Sequence, residues 1–137
     1  MEQLLLTLHF FHQKKILHRD IKLDNILINK IHEDEYDIRV ADFGLATFTP
    51  NDEYISYKCG TPGYVAPEIL KGEGYSYKAD IFSMGSLFFN ILTGRYLFHG
   101  ANHNETLALN LDCKIQLILP HLKGISKAAQ RLLLRMI

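Results

Sequence analysis

The chain has 137 residues, 47% hydrophobic and 22% charged, which suits one folded domain with one sizeable core. Fifteen Lys and Arg balance fifteen Asp and Glu, so the basic excess usual in a nucleic-acid-binding domain is lacking and no nucleic-acid partner is expected. Two cysteines, Cys59 and Cys113, exclude a disulfide framework and match no cysteine metal spacing, which points to a reducing compartment, the cytoplasm or alternatively the nucleus.

Residues 1–15 hold an apolar stretch with no basic region before it and no small-residue cleavage site, so they do not read as a signal peptide. Leu4, Leu5, Leu8, Phe10 and Phe11 predict one apolar helical face. Lys14 and Lys15 suit the C-terminal end of its dipole, and no cap precedes Met1. His9 and His12 lie one turn apart. A metal pair is one reading, and a surface His9 beside a helix-end core His12 is the plainer one. Next comes ILHRDIKLDNILI, residues 16–28, which packs charged and amide groups between two apolar triplets. ILI (26–28) and IRVA (38–41) read as two short strands. Between them Glu33, Asp34, Glu35 and Asp37 read as a solvated acidic turn.

Residues 42–76 are rich in Gly, Pro, Thr, Ser and Tyr and keep no hydrophobic period, which predicts one long loop of functional use. YKADIFSMGSLFFNILTG follows, with Ser76 as N-cap and Gly94 as the stop. Its residues Ile81, Phe82, Met84, Leu87, Phe88, Phe89, Ile91 and Leu92 cover nearly every face, so this helix is expected at the centre of the domain. The apolar run at 81–92 is too short to cross a bilayer, and no membrane span is expected. Residues 103–119 read as helical in part. SKAAQRLLLRMI reads as a helix capped by Ser126, with Ala129, Leu132, Leu133 and Met136 on its buried face. The fold class is therefore mainly α with a central buried helix.

Asp20, Lys22 and Asn25 stand at spacing 0, +2, +5 in HRDIKLDN. DFG follows at 42–44, CGTPGYVAPE at 59–68 and DIFSMG at 80–85. Together, in this order and at these distances, these motifs resemble the eukaryotic protein kinase family. The resemblance implies a kinase C-lobe in which a short β-hairpin carries the catalytic loop. Residues 1–137 would form a partial kinase domain, truncated at both ends and with the N-lobe absent, because no GxGxxG and no VAIK-type lysine appears. Such a chain alone would transfer little phosphate and would be marginally stable.

The same resemblance implies the site. Asp20 would accept the substrate hydroxyl proton, and Lys22 would steady the transferring phosphate of ATP. Asn25 and Asp42 would ligate Mg²⁺, a hard cation that prefers such oxygens. Leu27 would floor the adenine, with Ile26 and Ile28 anchoring it to the core. His18 would pack under Phe43 and bond to backbone. Glu68 resembles a glutamate whose arginine partner would lie beyond Ile137, and Phe82 stands where many kinases place Trp. Lys22 and the GTPGY stretch favour Ser/Thr specificity, with Thr61 touching Asp20 and Lys22. CGTPGYVAPEIL looks most like the calcium/calmodulin-dependent-kinase-like branch. Arg19 before Asp20 implies a partner phosphate in the loop. Ser56, near Lys58 and Arg19, is the favoured carrier. The alternative is that Tyr57 fills the place and no Ser/Thr phosphate is needed. The partners implied are ATP and protein substrates. The rival to an active Ser/Thr kinase is a non-catalytic C-lobe that serves as a protein-interaction module.

Overall fold

The structure is a computed structural model and describes every residue except Asp34 and Asp52. It is mainly helical, with a small β component in two antiparallel pairs. Helix α1 (Glu2–Gln13) buries Leu4, Leu8 and Phe11, spaced four and three residues apart, against the core. Phe10 was expected on that face but points outward, because it lies about a hundred degrees round the helix from Phe11. Lys15, at φ 61°, turns the chain into β1 (Ile16–Leu17), which pairs with β4 (Thr47–Phe48).

Strands β2 (Ile26–His32) and β3 (Glu35–Val40) form a hairpin longer than the sequence suggested, with Ile26 opposite Val40 and Ile28 opposite Ile38. Glu35 and Asp37 thus belong to a strand and not to an acidic turn, while Asp34 lies outside the described residues. β3 packs along α1, and β2 is the outer strand. That arrangement overturns one expectation. Ile26 packs against the core, but Ile28 is 65% exposed and anchors nothing.

The stretch 42–76 is not one loop. It contains β4, a two-way backbone bridge between Ile55 and Tyr75, and α2 (Pro67–Lys71), which starts on a proline and ends on Gly72 at φ 78°. Five helical residues are too few to show a period. Helix α3 (Tyr77–Thr93) runs through the centre and buries ten residues between Ala79 and Phe89, every one in that stretch except the partly exposed Ile81. Gly94 ends it in the left-handed conformation. Ser76 occupies the N-cap position, although its hydroxyl makes no capping bond, and Ile91 faces solvent in the last turn.

Helix α4 (His103–Asp112) is capped by Asn102, which accepts from the Glu105 N–H. Helix α5 (Lys127–Leu133) is capped by Ser126, which accepts from the Ala129 N–H. Leu133 and Met136 reach the core while Leu132 stays exposed, so the buried face of α5 is narrower than expected. Among the described residues no helix is long and apolar enough to cross a membrane.

Candidate active site

The residues around Asp20 have an irregular backbone, and a buried carboxylate holds it. Asp80, in the first turn of α3, is fully buried. Its Oδ2 accepts the His18 N–H at 2.9 Å and its Oδ1 accepts the Arg19 N–H at 2.8 Å. Arg19 sits at φ 66°, a left-handed conformation that is costly for a residue with a Cβ, and these bonds offset the cost. His12 Nε2 meets the same carboxylate at 3.2 Å, and His12 is half-buried at the edge of the core. His9 is exposed, and among the described residues no metal-binding cluster of His, Cys, Asp or Glu exists.

His18 is fully buried against Phe43, with ring centres 5.0 Å apart. Its Nδ1 accepts from the Asp20 N–H at 3.3 Å, so Nε2 carries the proton and donates to the Ala41 carbonyl at 3.1 Å. One neutral tautomer thereby ties the loop before Asp20 to the segment before Asp42.

Asp20 lies in the crevice above this frame. Its Oδ1 accepts from Thr61 Oγ1 at 2.6 Å, and its Oδ2 accepts from Lys22 Nζ at 2.8 Å and Asn25 Nδ2 at 3.2 Å. Lys22 Nζ also donates to Thr61 Oγ1 at 3.1 Å, so the four side chains close into one network. Burial pushes the Asp20 carboxyl up, but the bonds from Lys22 and Thr61, the Lys22 charge and the Asn25 bond outweigh it. The group rests below its ordinary value. The result is a carboxylate that stays anionic and whose oxygens are aimed.

Asp42 stands apart from that network. It is exposed, at φ 61°, and its Oδ1 accepts from the Gly44 N–H at 3.1 Å. The Asn25 carbonyl accepts the Ala41 N–H at 2.8 Å and so links the two segments through backbone. Both bonds of the Asn25 side chain leave from Nδ2, which also reaches the Asp20 carbonyl at 2.9 Å. Oδ1 of Asn25 and Oδ2 of Asp42 are then the oxygens left for a cation. This donor set fits Mg²⁺, which takes few protein oxygens and completes its shell with phosphate and water. Leu27 is 56% exposed on β2, opposite Arg39.

The structure also reveals groups that sequence reasoning missed. The segment 63–65 has no ladder of its own, and side chains from α3 and α4 hold it. Ser86 donates to the Gly63 carbonyl at 2.6 Å, and Ser83 donates to the Tyr64 carbonyl at 2.9 Å. Asn110, fully buried, accepts the Gly63 N–H at 2.7 Å and donates to the Val65 carbonyl at 2.7 Å. The available signal was two hydroxyls, Ser83 and Ser86, on a mostly apolar buried helix, because a buried polar group needs a partner. Beside Thr61 a cleft of about 330 Å³ opens between Asp24, Pro62, Tyr64, Tyr96, Phe98 and His103. A larger cleft of about 410 Å³, on the far side of Tyr96 near Phe89, Leu117 and His121, includes none of the motif residues. Glu68 makes no ion pair among the described residues.

Known proteins carry the same arrangement of sequence. The chain is 38% identical over 136 residues to a probable serine/threonine-protein kinase 2 of Plasmodium falciparum, which covers 99% of this chain and 26% of that protein. It is 44% identical over 108 residues to the DNA damage response protein kinase DUN1 of Saccharomyces cerevisiae, covering 68% of this chain and 21% of the relative. It is 37% identical over 107 residues to the serine/threonine-protein kinase PLK1 of Xenopus tropicalis, covering 77% and 17%. The chain thus spans about a quarter or less of the length of these relatives. The family model for the protein kinase domain matches residues 1–137, and this chain belongs to the protein kinase family.

Proposed function

We propose that these residues form the catalytic loop and peptide-facing surface of a protein serine/threonine kinase, the C-lobe side of its domain, which passes the ATP γ-phosphate to a Ser or Thr hydroxyl. The observation that carries the reading is the closed network of Asp20, Lys22, Asn25 and Thr61. Asp20, held anionic, orients the incoming hydroxyl and takes its proton at a carboxylate oxygen as transfer proceeds. Lys22 places an ammonium 2.8 Å from that carboxylate, where it meets the phosphate being moved. Asn25 and Asp42 would hold Mg²⁺, which when bound neutralises charge on the ATP phosphates. Leu27 offers its exposed side chain to the adenine. The cleft beside Thr61 receives the peptide that carries the acceptor. Within the family, the 59–70 stretch favours the calcium/calmodulin-dependent-kinase-like branch.

The second reading, a non-catalytic interaction module, has one observation behind it. Leu27 and Phe43 present apolar side chains to solvent, a surface that a protein partner would cover.

The test is a pair of substitutions in the full-length protein that carries these residues. Asp20→Asn is expected to cut phosphate transfer by about 10²-fold or more, with nucleotide binding nearly unchanged. Asp42→Asn is expected to weaken Mg²⁺-dependent nucleotide binding as well. Equal and mild losses for both would show that the roles are wrong. A wild type that binds protein partners yet transfers no phosphate would establish the second reading.

A further inference from the structure

Arg19 already makes three contacts with protein groups. Its Nε donates to the Leu45 carbonyl at 2.6 Å, and Nη1 donates to the Tyr75 hydroxyl at 3.4 Å. Its guanidinium carbon lies 6.0 Å from the centre of the Tyr57 ring, within reach of a cation–π attraction. Tyr75, buried at 2% exposure, donates its own hydroxyl to the Tyr57 carbonyl at 2.7 Å. Burial pushes the Tyr75 phenol up to about 12, so it stays protonated and can accept from Arg19 while it donates to Tyr57. Backbone bonds of 2.9 and 3.1 Å join Ile55 and Tyr75 in both directions. Lys58, which the sequence offered as a phosphate partner, instead donates to the Leu70 carbonyl at 2.7 Å. Ser56 is exposed and makes no side-chain hydrogen bond among the described residues.

We propose that Tyr57 and Tyr75 are positioning residues that clasp segment 55–57 onto Arg19, and so onto the catalytic loop, without a phosphate on Ser56. Its meaning for catalysis rests on the kinase reading above, while the clasp itself rests on geometry alone. The same residue whose N–H is pinned by Asp80 reaches with its side chain to three points, Leu45, Tyr75 and Tyr57. Order in the segment next to Cys59 and Thr61 is therefore transmitted directly to the backbone that precedes Asp20. A phosphate on Ser56 would meet an Arg19 whose Nε and Nη1 already have partners.

Hydrogen exchange of the unphosphorylated chain tests this without any need for activity. The Ile55 and Tyr75 amides are read, with Leu87 in α3 as an internal reference. In the wild type both are expected to be protected. Tyr57→Ala should speed their exchange about two- to fivefold, the range of an exposed cation–π contact, while Leu87 is unmoved. Tyr57→Phe, which keeps the ring, and Ser56→Ala should leave protection near the wild-type level. Unprotected wild-type amides would overturn the proposal. So would a Tyr57→Ala variant that exchanges like wild type, a Tyr57→Phe variant as loose as Tyr57→Ala, or a Ser56→Ala variant that loosens the segment equally. Protected amides, together with no phosphate transfer by the full-length protein that carries these residues, would leave the clasp standing and overturn the kinase reading instead.

Discussion

The two loops at 18–25 and 61–66 have little regular structure and are the most firmly held part of the site. The β2–β3 hairpin is regular and largely exposed. The difference lies in where backbone groups find partners. A hairpin satisfies its own N–H and C=O groups through its ladder and needs little else. The loops have no ladder, so buried side chains from distant helices supply the bonds: Asp80, Ser83 and Ser86 from α3 and Asn110 from α4. Regular structure here is the donor of rigidity, and irregular structure is its recipient. Asp20, Lys22 and Thr61 stand on the recipient side, where on the kinase reading aim matters most. Leu27 stands exposed on the hairpin, where on the same reading a broad apolar face suffices.

Asp80→Ala should break this contrast most severely. It removes the acceptor for the His18 and Arg19 N–H groups and the partner of His12 in one step. Two buried backbone donors left without acceptors cost about 1–3 kcal/mol each, and Arg19 loses the bond that offsets its left-handed backbone. A loss of about 3 kcal/mol or more in unfolding free energy is expected on these grounds, read from a shift of the denaturant midpoint. A cost under about 1 kcal/mol would mean that the loop is held by something other than α3.

Much of this was legible in the sequence, but unevenly. The motif spacing identified the family, and the all-round apolar run placed α3 at the centre, because composition and spacing are local properties that need no third dimension. The expected contacts of His18 with Phe43 and of Thr61 with Asp20 and Lys22 also appear, since they follow the motif order. What escaped was set by packing. Ile28 reads like Ile26, yet it lies further out along the exposed hairpin, and only packing decides which isoleucine is covered. Helix α2 is too short to show a period, and Ser76 looks like a cap although its hydroxyl bonds nothing there. Asn110 lies 47 residues from Gly63 in sequence and carries no motif, so its role became visible only in three dimensions.

Asn110→Ala sharpens the contrast at the 63–65 loop. It strands the Gly63 N–H and the Val65 carbonyl, and Ser83 and Ser86 still hold the neighbouring carbonyls. The expected cost is about 2 kcal/mol, smaller than for Asp80→Ala because half of the loop's anchors remain. Leu→Ala losses of similar size arise from cavities, so a control is needed. Asn110→Asp keeps an acceptor for Gly63 but sets a fully buried carboxylate against the Val65 carbonyl, so near neutral pH it should cost at least as much as Ala. An Asp variant close to wild type would mean that the bond to Val65 contributes little.

Gln3→Ala is the smallest and most local of these changes, and it probes the other side of the contrast. The Gln3 side chain behaves like a short stretch of added strand. Its Nε2 donates to the Tyr36 carbonyl at 2.8 Å, and its Oε1 accepts the Ile38 N–H at 2.9 Å. It thus pairs the open edge of β3 and fixes the hairpin to α1. Both bonds are exposed, so water can replace them once the side chain is gone, and the net loss should stay below about 1 kcal/mol. The thermal midpoint should barely move. Exchange at the Ile38 amide should nonetheless quicken, while amides within the loop of Asp20 and at Gly63 keep their rates. That separation is what a self-satisfied hairpin beside a buttressed loop requires. If Gln3→Ala instead destabilised the chain as much as Asn110→Ala, or loosened Asp20 and Gly63 together with Ile38, the hairpin and the loops would be one cooperative unit and the contrast between them would fail.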